Sequence, residues 1–288
     1  MTNLIIQNIS KMYGSKTVLN NINLEVQPGI FGLLGPNGAG KSTLMRILTT
    51  VESYDDGTIE FGVLNWKQKQ KVKNLIGYLP QNFSLYKQLT VIECLLHIAG
   101  LKGIRKDRAA KVLKVLEQVN LLEVKDSKIS KLSGGMVRRV GIAQAILGDP
   151  KIIIVDEPTA GLDPEERIRF RNILHKIGQK NTVVISSHIV EDIETLCTKA
   201  AILHKGSVLR NEEINALRES VNKLIWSTEV DQKELNLIQD ELKVIRQQSI
   251  GNRFKIRFLS KEPPVDSVVE IPTLEDAYFY YMQRDEEN

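Results

Sequence analysis

The run Gly35, Pro36, Asn37, Gly38, Ala39, Gly40, Lys41, Ser42, followed by Thr43, carries the most specific chemistry in the chain. Its spacing fits G-x-x-x-x-G-K-[ST]. Phosphate oxygens must be met by backbone N–H groups, and glycine lets the backbone curl and approach that closely. Lys41 supplies a mobile positive charge for the β and γ phosphates, and the Ser42 hydroxyl can ligate Mg²⁺. With no phosphate present Lys41 is expected to lie in solvent. The alternative is a chance glycine turn, which four fixed positions produce in roughly one such chain in a hundred. A second group comprises Asp156 and Glu157 in IIIVDEP, Ser186, Ser187 and His188, and Gln81. One carboxylate can hold Mg²⁺ through water while the next polarises an attacking water; alone, the pair could merely cap a strand.

The flanking sequence positions these groups. Ile30, Phe31, Leu33 and Leu34 read as a buried parallel strand before the glycine loop, and Leu44, Ile47 and Leu48 as a helix behind it. The loop's N–H groups therefore sit at a helix N-terminus, where the macrodipole favours an anion. Ile152 to Val155 is β-branched without alternation, as in a sheet covered on both faces, so Asp156 and Glu157 end a buried strand. Open α/β sheets bind ligands there. Thr182 to Ile185 precedes Ser186, Ile76 to Leu79 precedes Gln81, and Ala200 to Leu203 adds a further strand. Polar residues ending neighbouring strands around one phosphate loop make a catalytic site.

Leu4 to Ile9 and the alternating Ile22, Leu24, Val26 predict two strands, with Lys11 to Gly14 as a turn carrying Tyr13. Thr58 to Phe61 is a short strand after the turn signal Asp56-Gly57. The basic run Lys67 to Lys73 is either a solvated face or a surface for acidic lipid headgroups. From Phe83 to Leu147 the pattern is helical. Thr90 with Glu93 forms a capping box, Ala109, Val112, Leu113, Leu116 and Val119 outline an amphipathic helix, and Ser133, Gly134 and Gly135 open a third. Asp163-Pro164 starts a helix with several Arg on its exposed side. Beyond about Arg210 the character changes. Asp231 to Leu242 reads as helix, Phe254, Ile256 and Phe258 as a strand, and Thr273 to Met282 as a Tyr-rich helix. The expected division is 1–215, with a helical insertion at about 83–148, and a small α+β appendage at 220–288.

Composition narrows the classes. The 288 residues are 42% hydrophobic and 26% charged, with net charge +4, ordinary for a soluble globular protein. Cys94 and Cys197 share no metal-ligand spacing and suit a reducing compartment. No window approaches a membrane span and the N-terminal residues lack a signal-peptide core, so a pore, if transport is involved, is expected on another chain.

In this combination and order the motifs resemble the nucleotide-binding subunits of ATP-binding cassette (ABC) transporters, from Leu4 to about Arg210. The likeness makes GPNGAGKST the Walker A loop, with Tyr13 where the family stacks an aromatic on adenine (a surface turn aromatic is the alternative). Gln81 becomes the Q-loop glutamine, and Leu132 to Met136 the signature, with Ser133, Gly134 and Gly135 as the part that reaches the phosphate of a second subunit. Glu157 becomes the catalytic base after Walker B, Asp163 the D-loop aspartate and His188 the H-loop histidine. Met136 stands where the family usually has Gln; the phosphate-facing parts are intact. The resemblance implies a P-loop NTPase α/β fold: a RecA-like core, an antiparallel β subdomain and a helical subdomain, plus the C-terminal α+β extension. It implies ATP and Mg²⁺, the ion held by Ser42, Gln81 and Asp156, with Gln81, Glu157 and His188 catalytic. It further implies a homodimer or a pair with a second ABC subunit, a transmembrane permease, no nucleic acid, and a cytoplasmic place on the inner face of the cell membrane.

The segment GYLPQNFSLYKQLTVIECL looks like that of exporters whose permease is encoded separately, which carry drugs, peptides or glycoconjugates outward. Phe83, Leu85 and Tyr86 are expected either to form part of a socket for a permease helix or to be buried in the helical subdomain. The helix Leu274 to Met282 resembles the end of the extension in those exporters. An importer subunit and a soluble ABC ATPase remain the other readings. A GTPase is disfavoured, because Asn222-Lys223 is followed by Leu224-Ile225 rather than a guanine-reading motif.

Overall fold

Runs of β-branched residues between glycine punctuation build the sheet that carries the glycine loop. The computed structural model describes residues 2–235 and 242–287. The first unit, Met1–Asn211, opens with β1 (Leu4–Tyr13), β2 (Lys16–Val26) and β3 (Gly29–Leu34), followed by α1 (Lys41–Leu48). Then come β4 (Asp56–Phe61), β5 (Leu64–Asn65), α2 (Lys69–Leu75) and β6 (Ile76–Leu79). The helices α3 (Val91–Leu101), α4 (Arg108–Gln118) and α5 (Gly134–Ile146) stand between β6 and β7 (Ile152–Asp156). Next are α6 (Pro164–Gly178), β8 (Thr182–Ser187), α7 (Val190–Leu196), β9 (Lys199–His204) and β10 (Ser207–Glu213).

One sheet has the order β2-β1-β4-β5, with antiparallel pairs. The other runs β10-β9-β3-β8-β7-β6, and its pairs from β9 through β6 are parallel. Register decides where the chemistry lands. Leu34 lies beside Ser187 and Asp156 beside Ser186, so the glycine loop, the Asp156-Glu157 pair and His188 leave one edge together. β7 and β8 are buried along their whole length, consistent with helices on both faces. Leu33, Leu44, Met45, Ile154 and Val184 belong to one buried cluster with the inner residues of β1 and β2. Each such side chain contributes about 1.5–3 kcal/mol of burial, which anchors both ends of the loop.

The structure changes several local expectations. Lys11, Met12 and Tyr13 are strand rather than turn, because Met12 pairs with Thr17 and Tyr13 with Lys16. On α4 the buried face is Val112, Val115 and Leu116, while Leu113 and Ala109 are exposed. The Arg residues of α6 are not all outward. Arg171 is buried, with Nε 3.0 Å and Nη2 2.6 Å from Asp192 Oδ1. The capping box holds as expected, Thr90 N donating to Glu93 Oε2 at 2.8 Å. Asp163 caps α6, accepting from Glu166 N at 2.9 Å with Pro164 behind it. In the basic run only Val72 is buried. Among the described residues no helix is long and apolar enough to cross a membrane.

The second unit, Glu212–Asn288, holds α8 (Ile214–Glu219) and a four-stranded sheet in the order β12-β13-β11-β14. These strands are β11 (Ile225–Val230), β12 (Lys243–Ile250), β13 (Arg253–Leu259) and β14 (Val268–Val269), and α9 (Leu274–Glu287) closes the chain. Sequence patterning had pointed to one strand here, β13. Of the expected helix Asp231 to Leu242, residues 236–241 lie outside the described residues. Ile256 and Phe258 are the buried centre, and Arg257 ties β13 to α9 through Asp276 at 2.9 and 2.6 Å.

Candidate active site

The glycine loop is shaped by close approaches that exclude a side chain. A Cβ on Gly35 would stand 2.3 Å from the Leu203 carbonyl, and Gly40 has φ +104° with Leu19 and the Val18 carbonyl against it. The Gly206 N–H also donates to the Ala39 carbonyl at 3.1 Å, so the β9–β10 turn braces the loop from outside. A cleft of about 570 Å³ opens here, lined by Tyr13, Gly38, Lys41, Ser42, Gln81 and Glu157 among others. Asn37, Gly40 and Thr43 complete the loop's share of the wall. Tyr13 is half-exposed at the rim, its hydroxyl donating to Glu52 and its ring under Lys11 Nζ at 5.6 Å.

Lys41 is not solvated. It is 5% exposed, and its ammonium donates to the carbonyls of Gly35 at 2.7 Å and Pro36 at 3.1 Å. Oε1 of Glu157 is 3.7 Å away. Burial pushes the Lys41 ammonium below its ordinary pKa, and the nearby Glu157 and Asp156 oppose that shift. The loop's own carbonyls are thus the acceptors that hold the side chain.

Glu157 has a left-handed backbone, φ +50°. For a residue with a Cβ this costs about 1–2 kcal/mol. Two contacts offset it. The Glu157 N–H donates to Ser186 Oγ at 3.0 Å, and the Glu157 carbonyl accepts from Arg138. Ser186 in turn donates to Asp156 Oδ1, so one hydroxyl fixes both acidic residues. Ser42 Oγ approaches the same Oδ1 at 3.4 Å. On the carboxylate, Oε2 lies 2.6 Å from Nδ1 of His188. An ionised carboxylate only accepts, so the ring carries its proton there. Glu157 is buried, whereas the His188 side chain is 43% exposed.

Lys41, Ser42, Gln81, Asp156, Glu157 and His188 are thus brought to one edge. Ser133, Gly134 and Gly135 are not: they do not line the cleft. Ser133 and Gly134 are exposed at the start of α5, with Ser133 Oγ accepting from Met136 N at 3.2 Å. Gly135 is buried because a Cβ there would meet Glu166 Oε2 at 2.3 Å. Asp163 is exposed at its helix start. Phe83 is half-buried and faces the guanidinium of Arg138 at 5.9 Å, while Tyr86 is exposed, edge-on to His97 at 5.1 Å. The pair therefore splits between burial and exposure.

Sequence reasoning missed Arg138, which is buried and hydrogen-bonded to backbone of the segments after β6 and β7. A charged residue buried on a helix must find partners in the interior, but the sequence does not say which. It also missed Lys16 and Lys205, which line the cleft from the β2 start and the β9–β10 turn.

The family model described as ABC transporter matches residues 19–160. The linearmycin resistance ATP-binding protein of Bacillus subtilis is 39% identical over 213 residues, covering 70% of this chain and 67% of that protein. The lantibiotic transport ATP-binding protein of Streptococcus pyogenes is 35% identical, covering 73% of this chain and 90% of that one. This chain belongs to the ABC transporter family. As an ABC ATPase it binds and hydrolyses ATP. The dimeric structure of a bacterial ABC transporter cassette superposes with TM-score 0.65 at 26% identity, over 73% of this chain and 98% of that one. The P-loop NTPase fold expected from the motifs is the fold observed.

Proposed function

We propose that this ABC ATPase powers export of a small molecule, drug or peptide through a separate transmembrane permease, from the inner face of the cell membrane. Relatives described as lantibiotic and bacitracin transport ATP-binding proteins support the substrate class, and one described as a Nod factor export ATP-binding protein supports the direction. In this reading the loop amides of residues 37–43 and Lys41 cradle the phosphates, Tyr13 faces the adenine, and Glu157 orients the attacking water with His188 holding its carboxylate. Ser42, Asp156 and Gln81 present hard oxygen donors at the cleft, a set suited to Mg²⁺ alongside phosphate and water. When bound, that ion supplies neutralisation of charge on the transferring phosphate.

The observation that carries the mechanism is the place of Glu157: buried, pinned by Ser186 and Arg138, and 3.7 Å from the lysine of the phosphate loop. The exposed Ser133-Gly134 helix start, absent from its own cleft, favours two cassettes stacked head to tail, each completing the other's site with Asp163 at the junction. Glu157→Gln keeps size and removes the charge. Turnover should fall by about 10²–10⁴-fold, the usual contribution of a positioned base, while ATP binding persists. Light scattering of the variant should then show mass doubling with ATP and Mg²⁺. Normal hydrolysis excludes Glu157 as base; ATP-bound monomers favour a different cassette as the partner.

A further inference from the structure

One guanidinium ties together the segments that follow the neighbouring strands β6 and β7. Arg138 lies on α5 and is 8% exposed. Nη1 donates to the Gln81 carbonyl at 2.8 Å. Nε donates to the Pro158 carbonyl at 3.0 Å, and Nη2 to the carbonyls of Asp156 at 3.3 Å and Glu157. Its partners are thus main-chain oxygens from the segment after β6 and the segment after β7. Burial pushes the Arg138 pKa down, and Asp156 and Glu157 oppose this. Only a planar fork of several N–H groups can span both segments at once; an ammonium is a single point. Phe83, two residues beyond Gln81, lies against the guanidinium and limits the directions in which it can tilt.

We propose that Arg138 is a positioning residue that makes the place of Glu157 depend on the place of the Gln81 segment. This rests on Glu157 being the base. The left-handed Glu157 backbone is held on its N–H side by Ser186, within the sheet, and on its carbonyl side by Arg138. The N–H side is therefore fixed by β8, whereas the carbonyl side follows α5 and Gln81. A displacement of Gln81 relative to β7 strains or breaks one arm of the fork and releases the other, so the carboxylate leaves its position beside Lys41. Because the guanidinium touches neither carboxylate oxygen of Glu157, it acts on rate and not on nucleotide affinity.

The test uses the purified full-length chain, at concentrations where two copies meet. Arg138→Met keeps the stem and removes every donor; Arg138→Lys keeps the charge and spans one side. For Arg138→Met, kcat should fall by up to about 10²-fold, the scale of an ångström-level misplacement, with the ATP Kd unchanged. Arg138→Lys should fold and lie between the two. In a Glu157→Gln background Arg138→Met should add no further loss, since both act through one group. Amide exchange should quicken in the Gln81 and Glu157–Thr159 segments together in both Arg138 variants. Losses that multiply in the double variant, a change in ATP Kd without one in kcat, or wild-type turnover in Arg138→Met would overturn the coupling. If Arg138→Met does not fold, wild-type kcat in Arg138→Lys overturns it. Unimpaired hydrolysis by Glu157→Gln alone sinks the base assignment and the coupling with it, which separates the two failures.

Discussion

Lys41→Ala removes a side chain that the nucleotide-free protein uses. The ammonium gives hydrogen bonds at 2.7 and 3.1 Å to the Gly35 and Pro36 carbonyls and stands 3.7 Å from Glu157. Hydrogen bonds to charged groups are worth about 1.5–3 kcal/mol each. Against that, the buried ammonium's desolvation penalty disappears, and this is the largest influence on the Lys41 pKa. The two nearly cancel, leaving a net destabilisation of about 1–3 kcal/mol, because the carbonyls and Glu157 then lack their cation. At about 2–4 °C per kcal/mol for a domain of this size, the melting midpoint of the protein without nucleotide should drop by roughly 2–12 °C. The second readout is nucleotide. Wild type at about a hundredfold excess of ATP over Kd gains about 2.7 kcal/mol, and its midpoint should rise accordingly. Lys41→Ala should show no rise. Differential scanning fluorimetry with and without ATP and Mg²⁺ reads both. An unchanged apo midpoint would refute the folded-back lysine, and an undiminished ATP shift would refute its role on phosphate.

Gly141→Ala should overpack α5, since a Cβ would lie 2.5 Å from Phe83 Cζ. A loss of about 1–3 kcal/mol in chemical denaturation is expected; an unchanged midpoint would place the Phe83 ring elsewhere. Cys94 and Cys197 are both buried free thiols whose pKa burial pushes up. Neither should react with iodoacetamide at neutral pH until the protein is denatured, as judged by intact mass.

Much of the catalytic edge was legible because each strand carries its polar residue at its C-terminal end, and parallel register aligns those ends. Asp156 against Ser186 and Leu34 against Ser187 need nothing beyond β-branched runs of similar length. The fold-back of Lys41 was not legible, because it depends on which acceptors the loop leaves open, a tertiary property. Arg138 was hidden for a related reason: its partners are backbone carbonyls, and these carry no sequence signal. In the appendage β12 reads KVIRQQSI, largely exposed along one side of its sheet, so no alternation marked it. β14 has two residues and no pattern to show.

The buried lysine links the phosphate loop to the proposed base. In the nucleotide-free cleft Lys41 spends its donors on two carbonyls of its own loop and lends its charge to Glu157. A phosphate arriving at the loop amides offers charged oxygens in place of neutral carbonyls, and hydrogen bonds between two charged groups are the stronger kind. The ammonium therefore turns toward phosphate, and the stabilising influence of Lys41 on the Glu157 carboxylate is shared with a new anion. The carboxylate then keeps His188 at 2.6 Å as its side-chain partner. Its backbone, pinned by Ser186 and Arg138, does not follow the lysine. In the proposed mechanism substrate binding thus moves the lysine and leaves Glu157 where the sheet holds it, so the carboxylate meets water and phosphate from a position set by Ser186 and Arg138.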